Sequence, residues 1–78
     1  MRIQKYKFVE NNMKMLRELT LMGYVSPKLL NYYDIYKTFK SIKDKPKMHR
    51  YKLVSMQTKN SIMTVRLAVY EMQKYVNS

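Results

Sequence analysis

The sequence predicts an all-α fold, a small bundle of about four helices. Gly occurs once and Pro twice in 78 residues, whereas a sheet-rich chain needs more turn-forming residues. Apolar residues recur at three- and four-residue spacing in four segments, which is the period of a helix with one buried face. Because 78 residues build one modest core, we expect a single domain over residues 1–78.

The N-terminal segment is compatible with more than one structure. Within residues 2–10, Lys5 and Lys7 alternate with Tyr6 and Phe8, which fits a short strand, a basic arm or the start of a helix. The first helix that the pattern predicts begins at Asn11 or Asn12, since either can cap it, and stops at Gly23. We expect its buried face to contain Met13, Leu16, Leu19 and Met22.

Ser26 followed by Pro27 is the clearest helix start in the chain. Serine caps helices well, and proline fits the first helical position, where a missing N–H costs nothing. The second predicted helix continues to the Asp-Lys-Pro segment at 44–46, because a proline restrains the residue before it. We expect its inward face to contain Leu29, Leu30, Tyr33, Tyr36, Phe39 and Ile42, with Tyr32 and Ile35 widening it.

Two further helices are predicted after the proline. The third covers residues 47–58, and a short break at Lys59-Asn60 separates it from the fourth. Ser61 is placed to cap the fourth helix, which continues to about Val76. The predicted inward residues are Met48, Tyr51, Val54 and Ser55 on the third helix and Val65, Ala68, Val69, Met72 and Val76 on the fourth.

The last two predicted helices carry a recognisable motif. A small residue, Ser55, precedes the break, and the chain then places Ser61, Thr64, Val65, Arg66, Ala68 and Val69 in the order Ser-x-x-Thr-Val-Arg-x-Ala-Val. This segment resembles the helix-turn-helix of bacterial transcription regulators, and its order of residues is most similar to that of the GntR family. The resemblance implies that Ser55 lets the two helices cross closely and that Val65 packs the second helix on the first.

The resemblance lies within residues 47–77 and departs from the family at three points. Lys59 stands in place of the usual glycine and Asn60 in place of a buried aliphatic residue, although an asparagine in the turn can adopt the left-handed conformation. We expect neither the family's β-hairpin wing nor an effector domain. The resemblance also implies six residues that face the DNA groove, and three of them, Ile62, Met63 and Leu67, are apolar. This favours weak direct readout of bases.

A helix-turn-helix implies a reading helix, here about residues 62–76, that lies in the major groove of duplex DNA. Arg66 is placed to bond a phosphate or a guanine, although a solvated arginine is the ordinary alternative. Lysines near the first motif helix are placed to contact phosphates. The predicted DNA-contacting residues are Ser61, Ile62, Met63, Thr64, Arg66, Leu67, Tyr70, Lys45, Lys47, Lys52 and Lys59.

The charge of the chain is compatible with this prediction. Sixteen Lys and Arg against 5 Asp and Glu give a formal net charge of +11, which a polyanion such as nucleic acid would neutralise. A genome of low GC content would produce a similar bias without any partner. We predict a small transcription regulator or accessory factor of a bacterium, phage or mobile element that binds specific duplex DNA as a homodimer.

Two alternatives come from other classes of protein. An interaction adaptor would use the apolar side chains of the last helix, Ile62, Met63, Leu67 and Tyr70, to hold a protein partner. A binder of RNA or of a membrane surface would depend on charge alone, and neither a stacking motif nor a strongly amphipathic basic helix supports it.

The composition argues against an enzyme. Cys is absent, His49 is the single imidazole, and the five carboxylates are scattered without acid-base or metal-ligand spacing. We therefore expect no catalytic residue, no metal, no cofactor and no small-molecule substrate. The chain shows no secretory signal and no apolar run long enough to cross a bilayer, so we predict a cytoplasmic, nucleoid-associated protein without membrane contact.

Overall fold

The computed structural model describes residues 2–77, and this part of the chain folds into five helices and one pair of short strands. The all-α prediction is confirmed. The four predicted helices correspond to α2–α5, and a further helix, α1, precedes them. The elements in chain order are β1 (Arg2–Gln4), α1 (Lys5–Asn11), α2 (Met13–Leu21), α3 (Pro27–Ser41), α4 (Lys47–Thr58), α5 (Ile62–Gln73) and β2 (Tyr75–Asn77).

The two ends of the described chain are joined by strand pairing. β1 and β2 are antiparallel, with Ile3 opposite Val76, and the backbone N–H of Lys5 donates to the carbonyl of Lys74 at 2.6 Å. The predicted fourth helix was therefore extended too far: α5 ends at Gln73, and Val76 lies in β2 rather than on the helical stripe. The strand satisfies its backbone groups on a segment more than 70 residues away in the sequence, which helical periodicity does not reveal.

Asn12 occupies the predicted N-cap position of α2, but its side chain bonds the preceding helix. Its side-chain Nδ2 donates to the carbonyl of Phe8 at 2.9 Å, and it makes no capping hydrogen bond to α2. The predicted stop at Gly23 is confirmed, since Gly23 has a φ of 84°. The N–H groups of Gly23 and Tyr24 donate to the carbonyls of Thr20 and Leu19, which is the Schellman pattern that favours glycine.

α2 contributes less to the core than its pattern predicts. Leu16 is buried, whereas Met13 and Leu19 are half-buried and Met22 is 62% exposed. α2 contacts mainly α1 and α3, so it lies at the edge of the bundle and only a narrow part of its apolar face is covered.

α3 is the central helix of the bundle and packs most extensively on α5. Its predicted start is confirmed: the Ser26 hydroxyl accepts from the N–H of Lys28 at 3.2 Å, and Pro27 occupies the first turn. The helix ends at Ser41, three residues before the predicted Asp-Lys-Pro stop, because Ile42 is already extended. Ile35, expected at the flank, is fully buried.

The core lies between α3, α4 and α5, with α1 closing one side. Its fully buried side chains include Val9, Ile35, Val54, Val65 and Met72. A row of rings continues from it across the bundle: the centroid distances are 5.0 Å for Tyr6 and Tyr36, 6.3 Å for Tyr36 and Phe39, and 5.4 Å for Phe39 and Tyr51. Most tyrosines of this row serve packing, as their helical spacing predicts.

Candidate nucleic-acid interface

α4 and α5 are separated by three residues, Lys59 to Ser61. The predicted bounds of α4 are confirmed, and Tyr51 and Val54 are buried as expected. Met48, in the first turn of α4, was expected to point inward but is 58% exposed.

The left-handed residue of the turn is Lys59 rather than Asn60. Lys59 has φ 57° and ψ 35° and occupies the place where the GntR-type motif has glycine. The backbone N–H of Asn60 donates to the carbonyl of Ser55 at 3.2 Å, and its side chain donates to the carbonyl of Thr58 at 3.0 Å. Asn60 therefore stabilises the turn through hydrogen bonds, while a lysine carries the backbone strain.

Ser61 caps α5 as predicted. Its hydroxyl oxygen accepts from the N–H of Thr64 at 3.1 Å, and the hydroxyl donates to Thr64 Oγ1 at 2.9 Å. The two hydroxyls predicted as DNA contacts thus engage each other, and the Thr64 side chain is half-buried. In this structure the two hydroxyls stabilise the start of α5.

α5 has two distinct sides. Val65, Ala68, Val69 and Met72 are buried, with Val65, Ala68 and Met72 fully inaccessible. The opposite side is exposed, and its spacing of three and four residues places its members on one continuous surface. This surface, the outer face of α5, consists of Ile62 (37% exposed), Met63 (65%), Arg66, Leu67 (47%) and Tyr70 (64%).

Seven Lys and Arg side chains lie between positions 37 and 52, from the second half of α3 into α4, and two of them differ from the rest. Lys40 and Arg50 make contacts with other side chains and the backbone of the molecule. Lys40 Nζ donates to the hydroxyl of Tyr6 at 3.0 Å, and this hydrogen bond raises the pKa of Lys40. The Arg50 guanidinium donates to the carbonyl of Phe39 at 2.9 Å and lies 3.8 Å from the centroid of its ring, so Arg50 joins α4 to the C-terminal end of α3.

The lysines predicted to contact phosphates make no ion pair in the described part of the chain and are exposed. The ion pairs within residues 2–77 involve Lys5, Lys7 and Lys74 as cations, and none involves the predicted phosphate-contacting lysines. These lysines, called the phosphate lysines below, are Lys45, Lys47, Lys52 and Lys59, all of them exposed.

The start of α4 concentrates positive charge. Pro46 occupies the N-cap and offers no side-chain acceptor, and the first turn contains no acidic residue. The unpaired N–H groups and the helix dipole therefore add to the charges of Lys45 and Lys47. This end of the helix has the electrostatic character that favours an anion.

Comparisons with models of known families, with curated proteins and with solved structures find no match to this chain. In the part of the chain that the structure describes, no helix combines the length and the apolar character needed to cross a bilayer. Nor do three or more His, Asp or Glu side chains of residues 2–77 lie close enough together to hold a metal ion.

A cleft of about 360 Å³ beside α5 was not predicted from the sequence. It brings together side chains from the first turn of α1, from α3 and from α5, including Lys5, Lys28 and Leu67. Because these residues are far apart in the chain and each fits its own helical pattern, no local signal in the sequence could have found the cleft.

Proposed function

We propose that the chain binds duplex DNA, with the outer face of α5 in the major groove and the phosphate lysines on the backbone. The observation that carries the proposal is the division of α5: one side is fixed in the core by Val65, Ala68 and Met72, and the other is exposed around Arg66. A helix held in this way can present its exposed side chains to a partner in a defined orientation.

The dimensions of α5 suit a groove. Its 12 residues make a rod about 18 Å long, and an α-helix fits into a major groove about 12 Å wide. From Ile62 to Tyr70 the outer face extends about 12 Å, at 1.5 Å per residue. That length corresponds to about three or four base pairs, at 3.4 Å each.

The charges suit a phosphate backbone. Lys45 and Lys47 lie at the start of α4, Lys52 follows one to two turns later, and Lys59 lies in the turn before α5. Each phosphate that a lysine neutralises makes the slope of log affinity against log salt steeper by about 0.9. We expect a slope of about −4 if all four of these lysines contact phosphates.

The proposed biological role is that of a small transcription regulator or accessory factor associated with the nucleoid. A single module of this size covers only about 600–1,000 Å² of DNA surface, so we propose that two copies bind two half-sites. For the dimer face, α2 is a better candidate than α3, because α3 uses Tyr33, Ile35, Tyr36 and Phe39 in the core.

A titration followed by fluorescence anisotropy tests the proposal. The labelled probes are a random-sequence duplex, a single-stranded DNA and an RNA hairpin, each at several salt concentrations. We expect the duplex to bind most tightly, with a salt slope near −4. Equal affinity for the three probes would show binding by charge alone, and absence of duplex binding at low salt would refute the proposal.

The apolar part of the outer face favours one other function. Met63 and Tyr70 are each more than 60% exposed and lie beside Leu67, so the same surface suits a protein partner in an adaptor. Replacing Met63 and Leu67 by serine separates the two functions. The double variant should abolish binding to a protein partner, while duplex DNA binding at low salt, which depends on the lysines, should remain.

A further inference from the structure

The cleft beside α5 has both an apolar wall and a charged rim. Leu29 and Tyr32 of α3 face Leu67 and Met72 of α5, and these four side chains provide the apolar surface. The rim is polar and contains Lys5, Ser26, Lys28 and Glu71. Its volume of about 360 Å³ lies within the range of 300–1,000 Å³ that is typical of small-molecule sites.

The charges on the rim do not cancel. Both oxygens of Glu71 are occupied: Oε2 accepts from Lys5 Nζ at 3.2 Å and Oε1 from Lys74 Nζ at 2.9 Å. Glu71 therefore has little capacity left to attract a cationic ligand. Lys28 has no acidic partner within residues 2–77, and its Nζ lies 5.3 Å from the centroid of the Tyr32 ring.

We propose that this cleft binds an organic anion, a carboxylate attached to an apolar body. The carboxylate would accept hydrogen bonds from Lys28 Nζ and from the hydroxyl of Ser26, which lies two residues away at the start of α3. The apolar body would cover Leu29, Tyr32 and Leu67, removing their exposed surface from water.

A second cleft lies next to the first. It has a volume of about 250 Å³, shares Lys5 and Leu29 with the first, and is otherwise lined by Phe8, Val9 and Val76. These three side chains are apolar, so the additional space accepts hydrocarbon rather than a second charge.

The position of the cleft connects the ligand to α5. Leu67 belongs both to the cleft wall and to the outer face, so a bound anion would contact the helix proposed to enter DNA. The binding inference itself does not depend on the DNA proposal, and its test contains no DNA, so either can fail alone.

The experiment is a titration of the ¹⁵N-labelled protein with 2-naphthoate, followed by two-dimensional NMR, with neutral 2-naphthylmethanol as the matched probe. For about 13 heavy atoms at ordinary ligand efficiency, we expect a Kd on the order of 1 mM. The amide signals of Leu29, Tyr32, Leu67 and Met72 should shift together and saturate.

Two variants test whether the charge of Lys28 contributes to the binding of naphthoate. Lys28→Met keeps the length and apolar character of the side chain, and it should weaken naphthoate binding about threefold to fivefold, the size of an exposed ion pair, without changing the affinity for the alcohol. Lys14→Met on α2 removes the same charge away from the cleft and should leave both affinities unchanged. Unsaturated shifts, shifts centred on Met22 and Tyr24, or equal effects of the two variants would overturn the proposal.

Discussion

The hydroxyl of Ser55 donates a hydrogen bond to the carbonyl oxygen of Asn60 at 2.5 Å and so joins α4 to the turn before α5. The Ser55 carbonyl in turn accepts from the N–H of Asn60, so the two residues are linked in both directions. The motif resemblance accounts for a small residue at position 55 by close helix crossing. The structure adds a reason why serine in particular suits this place: its hydroxyl satisfies a carbonyl that the turn leaves without a helical partner.

Ser55→Ala tests this bond, because alanine is small enough for close crossing but lacks the hydroxyl. We expect a loss of about 1 kcal/mol in the free energy of unfolding, the usual value for a part-buried hydrogen bond. Urea unfolding at equilibrium gives the value. Ser41→Ala, which removes an exposed hydroxyl bonded to the Thr38 carbonyl, is the control and should change stability by less than about 0.5 kcal/mol. Equal losses in the two variants would contradict the assigned role.

Lys59→Gly should stabilise the fold. A non-glycine residue at φ 57° carries about 1–2 kcal/mol of backbone strain, and glycine removes it while adding about 0.4–1 kcal/mol of unfolded-state entropy. The net gain is expected to be up to about 1 kcal/mol. Lys59→Ala separates strain from charge, since it removes the ammonium and keeps the strain. If Lys59 contacts a phosphate, both variants should lose the same DNA affinity, and only the glycine variant should melt at a higher temperature.

Val65→Asp should unfold the domain. Val65 is fully buried at the centre of the bundle, and a carboxylate there would have no partner, at a cost of several kcal/mol. Met63→Asp is the matched control, since it places the same charge on the same helix at a residue that is 65% exposed. Circular dichroism should show a cooperative melt for Met63→Asp and none for Val65→Asp. A normal melting transition of the Val65→Asp variant would show that this side of α5 does not face the core.

The sequence predicted those features whose cause is local. Ser26 and Ser61 cap the helices that follow them, Gly23 ends α2, and Val65 lies on a buried stripe, because each depends on residues within one or two turns. The outward position of Arg66 followed from the same periodicity. The candidate surface could therefore be identified in advance, although its partner could not.

The features that the sequence did not predict depend on distant residues. Val76 was predicted to lie on the buried stripe of the last helix, whereas it pairs with Ile3 in the two-stranded sheet. Asn12 could have capped α2 by its type alone, yet its side chain bonds the preceding helix. In each case tertiary or neighbouring contacts override a pattern that is locally correct.

Glu71→Gln should lower stability in a way that depends on pH. The hydrogen bonds from Lys74 and from Lys5 hold the pKa of Glu71 below its usual range. A carboxyl group whose pKa is lower in the folded state stabilises the fold at pH values above its unfolded pKa, about 4.3, and loses that contribution as the pH falls through the folded pKa. The variant should therefore melt below the wild type at pH 7, and the difference should be smaller at pH 3, below the unfolded pKa.

Glu18→Gln is the control for this pH dependence. Glu18 forms no ion pair within residues 2–77, so its variant should follow the wild type at both pH values. A constant difference between Glu71→Gln and the wild type from pH 7 to pH 3 would show that the two lysines do not act on the charge of Glu71.

Arg66 and the phosphate lysines should fail differently when they are mutated, because a base contact carries sequence information and a phosphate contact does not. A preferred site is first selected from random duplexes. On that site Arg66→Ala should lose about 1–3 kcal/mol, with a much smaller loss on random duplex, and Arg66→Lys should restore little if the guanidinium bonds a guanine in the bidentate way. Lys47→Ala and Lys52→Ala should weaken binding to both duplexes alike, each flattening the salt slope by about one unit.

Lys14→Ala, on α2, is the control and should change neither the preference for the selected site nor the salt slope. If no sequence is enriched, and Arg66→Ala behaves as Lys14→Ala does, α5 does not read DNA, and its apolar residues Met63 and Leu67 become the candidates for a protein contact.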